Sequence, residues 1–303
     1  MSTERSTANP PGGTATLAGR TVARIGFGVM QLEVRHVGRE TGVRVLRSAV
    51  EQGVNHLDTA QFYGACNELI RAALHPYPDD LVLVSKVGAE RDPAGALVPA
   101  QRPAQLRASV EANLASLGTD HLAVVNLRRL DASPGLMADG DQRADLDSQL
   151  AELTALRDEG KIGGIGMSGV LAGQIEHAQA ALAPAGGVAC VQNSYSVLDR
   201  ASEPELDACR RHGIAWVPFF PLGSAGFPGV ASVTDHPAVA AAAASLGVTP
   251  AQVGLAWLLA SYPGTLLIPG TADPGHLNEN IAAGGVRLDP DLVAGLGRLA
   301  AAR

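Results

Sequence analysis

Two kinds of segment alternate along this chain. One is short and mostly apolar, found at 23–28, 56–58, 81–86, 122–127, 162–167, 188–192, 214–219 and 266–268. Mostly apolar runs of that length predict strands buried on both faces. The other is longer and polar on one side, at 43–52, 103–117, 146–159, 173–182, 202–212 and 250–259, and predicts helices. The Ala-rich run at 238–244 reads as one more. Helix stop signals stand at Leu117-Gly118, Glu159-Gly160, His212-Gly213 and Leu246-Gly247, where glycine supplies the left-handed closing residue. Eight buried strands separated by helices predict an α/β fold of parallel βα units. Ahead of them, Ala18-Gly19-Arg20 between β-prone pieces predicts a hairpin over 14–21. Residues 1–13 are rich in Ser, Thr, Pro and Gly, carry no apolar core of a secretion signal, and predict a flexible tail. No composition shift divides 14–303, which reads as one domain. The connections at 131–142 and 221–233 are long for such units.

Composition narrows the function. The chain has 303 residues, and a (β/α)8 barrel needs about 250. Its formal charge of −7 argues against a general affinity for nucleic acid or an anionic membrane surface. No apolar stretch approaches the roughly 20 residues of a membrane span. Cys66, Cys190 and Cys209 are odd in number and lack metal spacing, so free thiols in a cytoplasmic protein are expected. No His/Cys/Asp cluster has ligand spacing, and no metal is expected. A monomer or weak oligomer is the expected state.

Two stretches carry the chemistry: His56-Leu57-Asp58-Thr59-Ala60-Gln61-Phe62-Tyr63-Gly64 and Leu81-Val82-Leu83-Val84-Ser85-Lys86. Each reads as a buried strand delivering polar groups at its end. A free phenol has a pKa of about 10. A lysine ammonium beside Tyr63 favours the phenolate. Asp58 beside that lysine keeps Lys86 charged and in place. Such a trio makes a general acid able to protonate a carbonyl oxygen. Alternation along 122–128 puts Arg128 on one face with Val124 and Asn126, at a strand end like Lys86.

The run Asp58-Thr59-Ala60-x-x-Tyr63-Gly64 followed by a strand ending in Lys86 resembles the aldo-keto reductase superfamily. So do Gly166-Met167-Ser168, Val191-Gln192-Asn193, Pro221-Leu222-Gly223, Ile268-Pro269-Gly270-Thr271 and His276-Leu277-Asn278-Glu279-Asn280, in order to the C-terminus. Asp79-Asp80-Leu81 and Val124-Val125-Asn126-Leu127-Arg128 resemble the bacterial branch that includes pyridoxal reductases. The resemblance implies a (β/α)8 TIM barrel whose N-terminal β-hairpin closes the bottom. It implies reduction of an aldehyde or ketone with NADPH, a small carbonyl compound as partner, and Asp58, Tyr63, Lys86 and Arg128 as the catalytic set. It implies Ser168 and Gln192 at the nicotinamide carboxamide, Phe219 stacked on the ring, and Leu222, Gly223 and Ser224 at the pyrophosphate. Gly270, Thr271, His276 and Asn280 are implied at the adenosine end, beside a helix start capped by Asp273. No Lys or Arg lies between Ile268 and Val286 to add charge for a 2′-phosphate.

Two departures stand out. The family usually has histidine where Arg128 stands, and the nearest histidine, His121, precedes the strand. An arginine is permanently charged and cannot shuttle protons at ordinary pH. That departure motivates the alternative of a dinucleotide-binding barrel without turnover, serving as a regulatory or partner-binding module. The family's usual asparagine after Ser168 is Gly169 here. Finally, Gly164-Ile165-Gly166-Met167-Ser168-Gly169 has the spacing of a dinucleotide fingerprint. It lacks the acidic residue about 20 positions on, so it reads as a glycine-rich strand in a crowded barrel.

Overall fold

The computed structural model describes residues 9–131, 135–223 and 231–299. Strands β1 (Thr14–Leu17) and β2 (Arg20–Ala23) pair antiparallel through Ala18 and Gly19. Both turn residues have positive φ, 47° and 75°, as a two-residue hairpin turn matched to strand twist demands. The chain then runs through β3 (Phe27–Gly28), β4 (His56–Asp58), β5 (Val82–Val87), β6 (Ala89–Arg91), β7 (Leu97–Pro99), β8 (Leu122–Arg128), β9 (Ile162–Ser168), β10 (Cys190–Gln192) and β11 (Ala215–Trp216). Seven of these form one parallel sheet, in the order β3-β4-β5-β8-β9-β10-β11. The eighth predicted strand, 266–268, makes bridges and no full ladder: Thr265 pairs with Trp216 and Leu267 with Ile25. Pro269 has no N–H to extend the pairing. Those bridges join the sheet's two edges, with Leu266 N donating to Trp216 O and Gly26 N to Leu267 O, each at 2.8 Å. The architecture is the (β/α)8 barrel.

Alternation along the strands sorts the core into two shells. Val82, Val84, Val124, Cys190, Ala215, Val217 and Leu266 pack inside the barrel, with Leu17 and Val22 of the hairpin closing its floor. Leu57, Leu83, Val125, Leu127, Ile165, Val191 and Leu267 face the surrounding helices. The predicted helices occur at Arg39–Glu51, Pro103–Leu117, Leu146–Asp158, Ala172–Ala181, Glu203–His212, Pro237–Leu246 and Pro250–Ser261. Gly118, Gly213 and Gly247 close three of them in the left-handed conformation. Helices Cys66–Leu74 and Pro290–Gly297 complete the ring alongside Pro274–Ala282. No single helix among the described residues is long and apolar enough to cross a membrane.

Residues 10–13, expected within a tail, are tied to the barrel. Pro11 is buried, and its carbonyl accepts from Ile25 N at 3.0 Å. The crowding expected at the glycine-rich strand is real. A Cβ on Gly166 would lie 2.1 Å from Asn126 Oδ1 and 2.9 Å from Cys190 Sγ. Parts of both long connections, 132–134 and 224–230, lie outside the described residues, and Ser224 with them.

Candidate active site

The inward positions of the barrel turn from apolar to polar toward the C-terminal strand ends. On β5 the order is Val82, Val84, Lys86, and on β4 Asp58 follows His56. Lys86 and Asp58 are both buried and form an ion pair through Nζ and Oδ1. The other carboxylate oxygen, Oδ2, accepts from Gln192 Nε2 at 2.7 Å, so β10 holds the aspartate from across the lumen. Lys86 Nζ also donates to the Thr59 carbonyl at 3.4 Å and lies 5.3 Å from the centre of the Tyr63 ring. Burial pulls the Lys86 ammonium down. The charges and hydrogen bonds of Asp58 and Tyr63 overcome that and hold it above the ordinary lysine value. The lysine is therefore a fixed cation beside a half-buried phenol.

Arg128 ends β8 with its guanidinium carbon 5.8 Å from the centre of the Phe62 ring. Burial lowers its pKa, and the nearby Tyr63 opposes the shift. Among the described residues no carboxylate lies within ion-pair distance of it. Its backbone is held by Gln101, whose Nε2 donates to the carbonyls of Gly88 at 2.6 Å and Arg128 at 2.8 Å. Gln101 is gripped in turn by Gln149, which also takes the Arg129 guanidinium. Arg129 thus points out of the barrel and serves the scaffold. His121 bonds the Gly160 carbonyl at 2.8 Å at the opposite end of β8, away from the mouth.

Ser168 and Gln192, expected at the cofactor, lie at strand ends beside Arg128. Ser168 is buried at the end of β9, in register with Arg128 on one side and Gln192 on the other. Gln192 Oε1 is buried and has no hydrogen-bond partner among the described residues. Phe219 is partly exposed, its N–H bonded to Asn193 O at 3.0 Å and its ring edge-to-face with Phe220 at 5.2 Å. Leu222 packs against the outer core, and Gly223 turns at φ 79° where a Cβ would lie 2.0 Å from Ala231 O. Gly270 crosses Gly28 so closely that a Cβ would meet Gly28 O at 2.1 Å. Thr271 and Asn280 are buried and His276 is exposed. Asp273 caps this helix as expected, its Oδ1 accepting from the amides of Gly275 and His276 at 2.7 and 3.1 Å. Those two amides also keep the Asp273 carboxyl below its usual range.

Residues 24–300 match the model of the aldo/keto reductase family. This chain belongs to the aldo/keto reductase family. Its relatives include a pyridoxine 4-dehydrogenase of Escherichia coli, 42% identical over 93% of this chain and 96% of the relative. An uncharacterized oxidoreductase of Schizosaccharomyces pombe is 29% identical, covering 94% of this chain and 89% of its own. Among solved structures, an aldo/keto reductase of Klebsiella pneumoniae in complex with NADP and acetate superposes with a TM-score of 0.78 at 27% identity, covering 94% of each chain. Against that family frame, motif reading missed the grip of Gln192 on Asp58 and the buried polar residues behind the strands. One signal for the latter was present: Asn113 interrupts the apolar face made by Leu106, Val110, Leu114 and Leu117 on its helix.

Proposed function

We propose that this aldo/keto reductase converts an aldehyde or ketone to an alcohol with NADPH, and that pyridoxal is its substrate. The observation that carries the reading is the Tyr63 phenol beside a lysine fixed by a buried carboxylate. Gln192 offers the cofactor a polar atom in want of a partner. Its buried, unpartnered Oε1 is an acceptor that a primary amide such as the nicotinamide carboxamide would satisfy. Ser168 and Gln192 would hold that amide, Phe219 the ring, Leu222 and Gly223 the pyrophosphate, and Gly270, Thr271, His276 and Asn280 the adenosine end. When bound, NADPH supplies the hydride that ends on the carbonyl carbon. Tyr63 gives its hydroxyl proton to the carbonyl oxygen. The Lys86 ammonium faces the phenolate left behind, and solvent returns the proton. Arg128 faces the same oxygen region with a permanent charge.

The pyridoxal assignment rests on two supports. The relative with 42% identity is a pyridoxine 4-dehydrogenase. Pyridoxal also carries a phenolic oxygen ortho to its aldehyde, which an unpaired guanidinium suits. A binding barrel without turnover draws no support, since its motive was Arg128 in place of histidine while the proton donor and its lysine stand assembled. The test is Tyr63→Phe, assayed by loss of NADPH absorbance over a panel of carbonyls including pyridoxal. Turnover is expected to fall about 10²–10⁴-fold with cofactor affinity unchanged. Wild-type turnover in that variant would remove Tyr63 from the mechanism.

A further inference from the structure

A second polar cluster lies behind the strands that carry the proton-donating set. Alternation sends Asp58 and Lys86 into the lumen and their neighbours Thr59 and Ser85 outward, toward the helices. Thr59 Oγ1 donates to Asn67 Oδ1 at 2.7 Å. Asn67 Nδ2 donates to Asn113 Oδ1 at 3.0 Å, and Ser85 Oγ donates to the same oxygen at 2.6 Å. Asn113 Nδ2 reaches the Ser109 carbonyl at 2.9 Å and Gln61 Oε1 at 3.4 Å. Gln61 Nε2 in turn bonds the Ala89 carbonyl at 2.8 Å. Thr59, Ser85 and Asn113 are wholly buried.

This arrangement is selective about chemistry. Asn113 uses both lone pairs of its oxygen and both hydrogens of its amide, the full capacity of an asparagine. A carboxylate could not donate and an apolar side chain could do neither. Val110, Leu114 and Leu117 beside it on the helix are apolar, and Ser109 is the buried polar residue one turn before it. A buried polar group costs free energy unless it is bonded, whereas a fully satisfied network rigidifies what it joins. What it joins is specific: the residue after Asp58, the residue before Lys86, and Gln61 two positions before Tyr63.

We infer that Asn113 is a positioning residue that clamps the loop carrying Tyr63 to the strand carrying Lys86, and so sets the approach of the phenol to the ammonium. The inference rests on the proposed role of Tyr63. It touches neither substrate nor cofactor, so its loss acts on the chemical step and leaves binding alone.

The experiment compares wild type, Asn113→Leu, Ser85→Ala and Tyr63→Phe, measuring kcat, KM, NADPH affinity and the pH profile of kcat with pyridoxal. Asn113→Leu is expected to lower kcat by up to about 100-fold, the effect of misplacing a group by ~1 Å. NADPH affinity should stay at the wild-type value and the basic limb of the profile should move. Ser85→Ala removes a single bond and should give the same signature at smaller size; it carries the test if Asn113→Leu does not fold. An unchanged kcat and pH profile in the folded variants overturns the inference. So does a fall in kcat matched by weaker cofactor binding with the profile unmoved, which is the mark of general loosening. If Tyr63→Phe is inactive while the other variants behave as wild type, only the clamp falls. If Tyr63→Phe turns over normally, the assignment of Tyr63 and the clamp fall together.

Discussion

Asp58→Asn isolates the electrostatics of the site. It keeps the side chain's shape and leaves the Lys86 ammonium buried with no opposite charge. Asp58 and Lys86 are only 3% and 5% exposed, and removing one partner of a buried pair costs about 3–5 kcal/mol. Gln192 should hold the loss near the lower figure. Its Nε2 would meet an amide donor, but rotating its own amide presents Oε1, an acceptor that now has no partner. The pH dependence is more diagnostic than the size. In the native chain Lys86 stands above its ordinary value of 10.5 because Asp58 and Tyr63 outweigh burial. Its contribution is therefore complete below about pH 10.5 and is lost only as pH rises through the higher folded value. Without Asp58, burial dominates and the folded value drops below the unfolded one. The unfolded chain then binds more protons, and the variant gains stability as pH rises toward 10, at up to about 1.4 kcal/mol per unit. Urea unfolding of both proteins from pH 6 to 10 measures this. A difference that stays flat across that range, or is below about 1 kcal/mol throughout, would refute the reasoning.

Three further outcomes follow from the same structure. His56 lies buried in the lumen, and burial, partly opposed by the Leu267 backbone, pushes it down to about 4. Its neutral form stabilises the fold above pH 6.5, and about 3 kcal/mol is lost as pH falls toward 4; acid unfolding of His56→Leu should show a smaller loss over that window, and an equal slope counts against it. Asp273→Ser keeps a helix cap while removing the carboxylate from the amides of Gly275 and His276. NADPH should then tighten about twofold to fivefold relative to NADH in fluorescence titrations, and an unmoved ratio would place the 2′-phosphate elsewhere. Arg128→Met should lower kcat/KM for pyridoxal about tenfold more than for benzaldehyde; equal losses would mean that Arg128 acts on the reacting oxygen, and no loss would make it a bystander.

Much of the barrel was legible because a strand buried on both faces leaves a mostly apolar run, as at 81–84 and 122–125. Asp58, Tyr63 and Lys86 were legible because each sits in a contiguous motif. The segment at 266–268 reads as a strand but pairs only through bridges at Thr265 and Leu267, since two strand edges must be joined there next to Pro269. The β6–β7 hairpin escaped notice because Glu90 and Arg91 break any apolar run. Pro10–Gly13 have the composition of a tail, yet the barrel floor buries Pro11. The grip of Gln192 on Asp58 spans 134 residues and exists only once the sheet has curled. Asp273 was readable as a cap, because an aspartate directly before a proline is a common helix start.

Inside the barrel, at the strand ends, the buried Asp58 carboxylate stands with two cations, Lys86 and Arg128, in a chain whose formal charge is −7. Asp58 is committed to Lys86 and Gln192. Arg128 is left with the face of Phe62 and the neighbourhood of Tyr63, and a cation over an aromatic ring gains only about 0.5–2 kcal/mol. Burying it against desolvation with so little in return makes sense if its counter-charge arrives with the reaction. A carbonyl oxygen gains negative charge as its carbon is reduced, and donors already fixed around that position favour the transition state over the neutral substrate. On this argument Arg128 does more than replace a neutral donor. It makes the site selective for oxygen that is becoming, or already is, an anion.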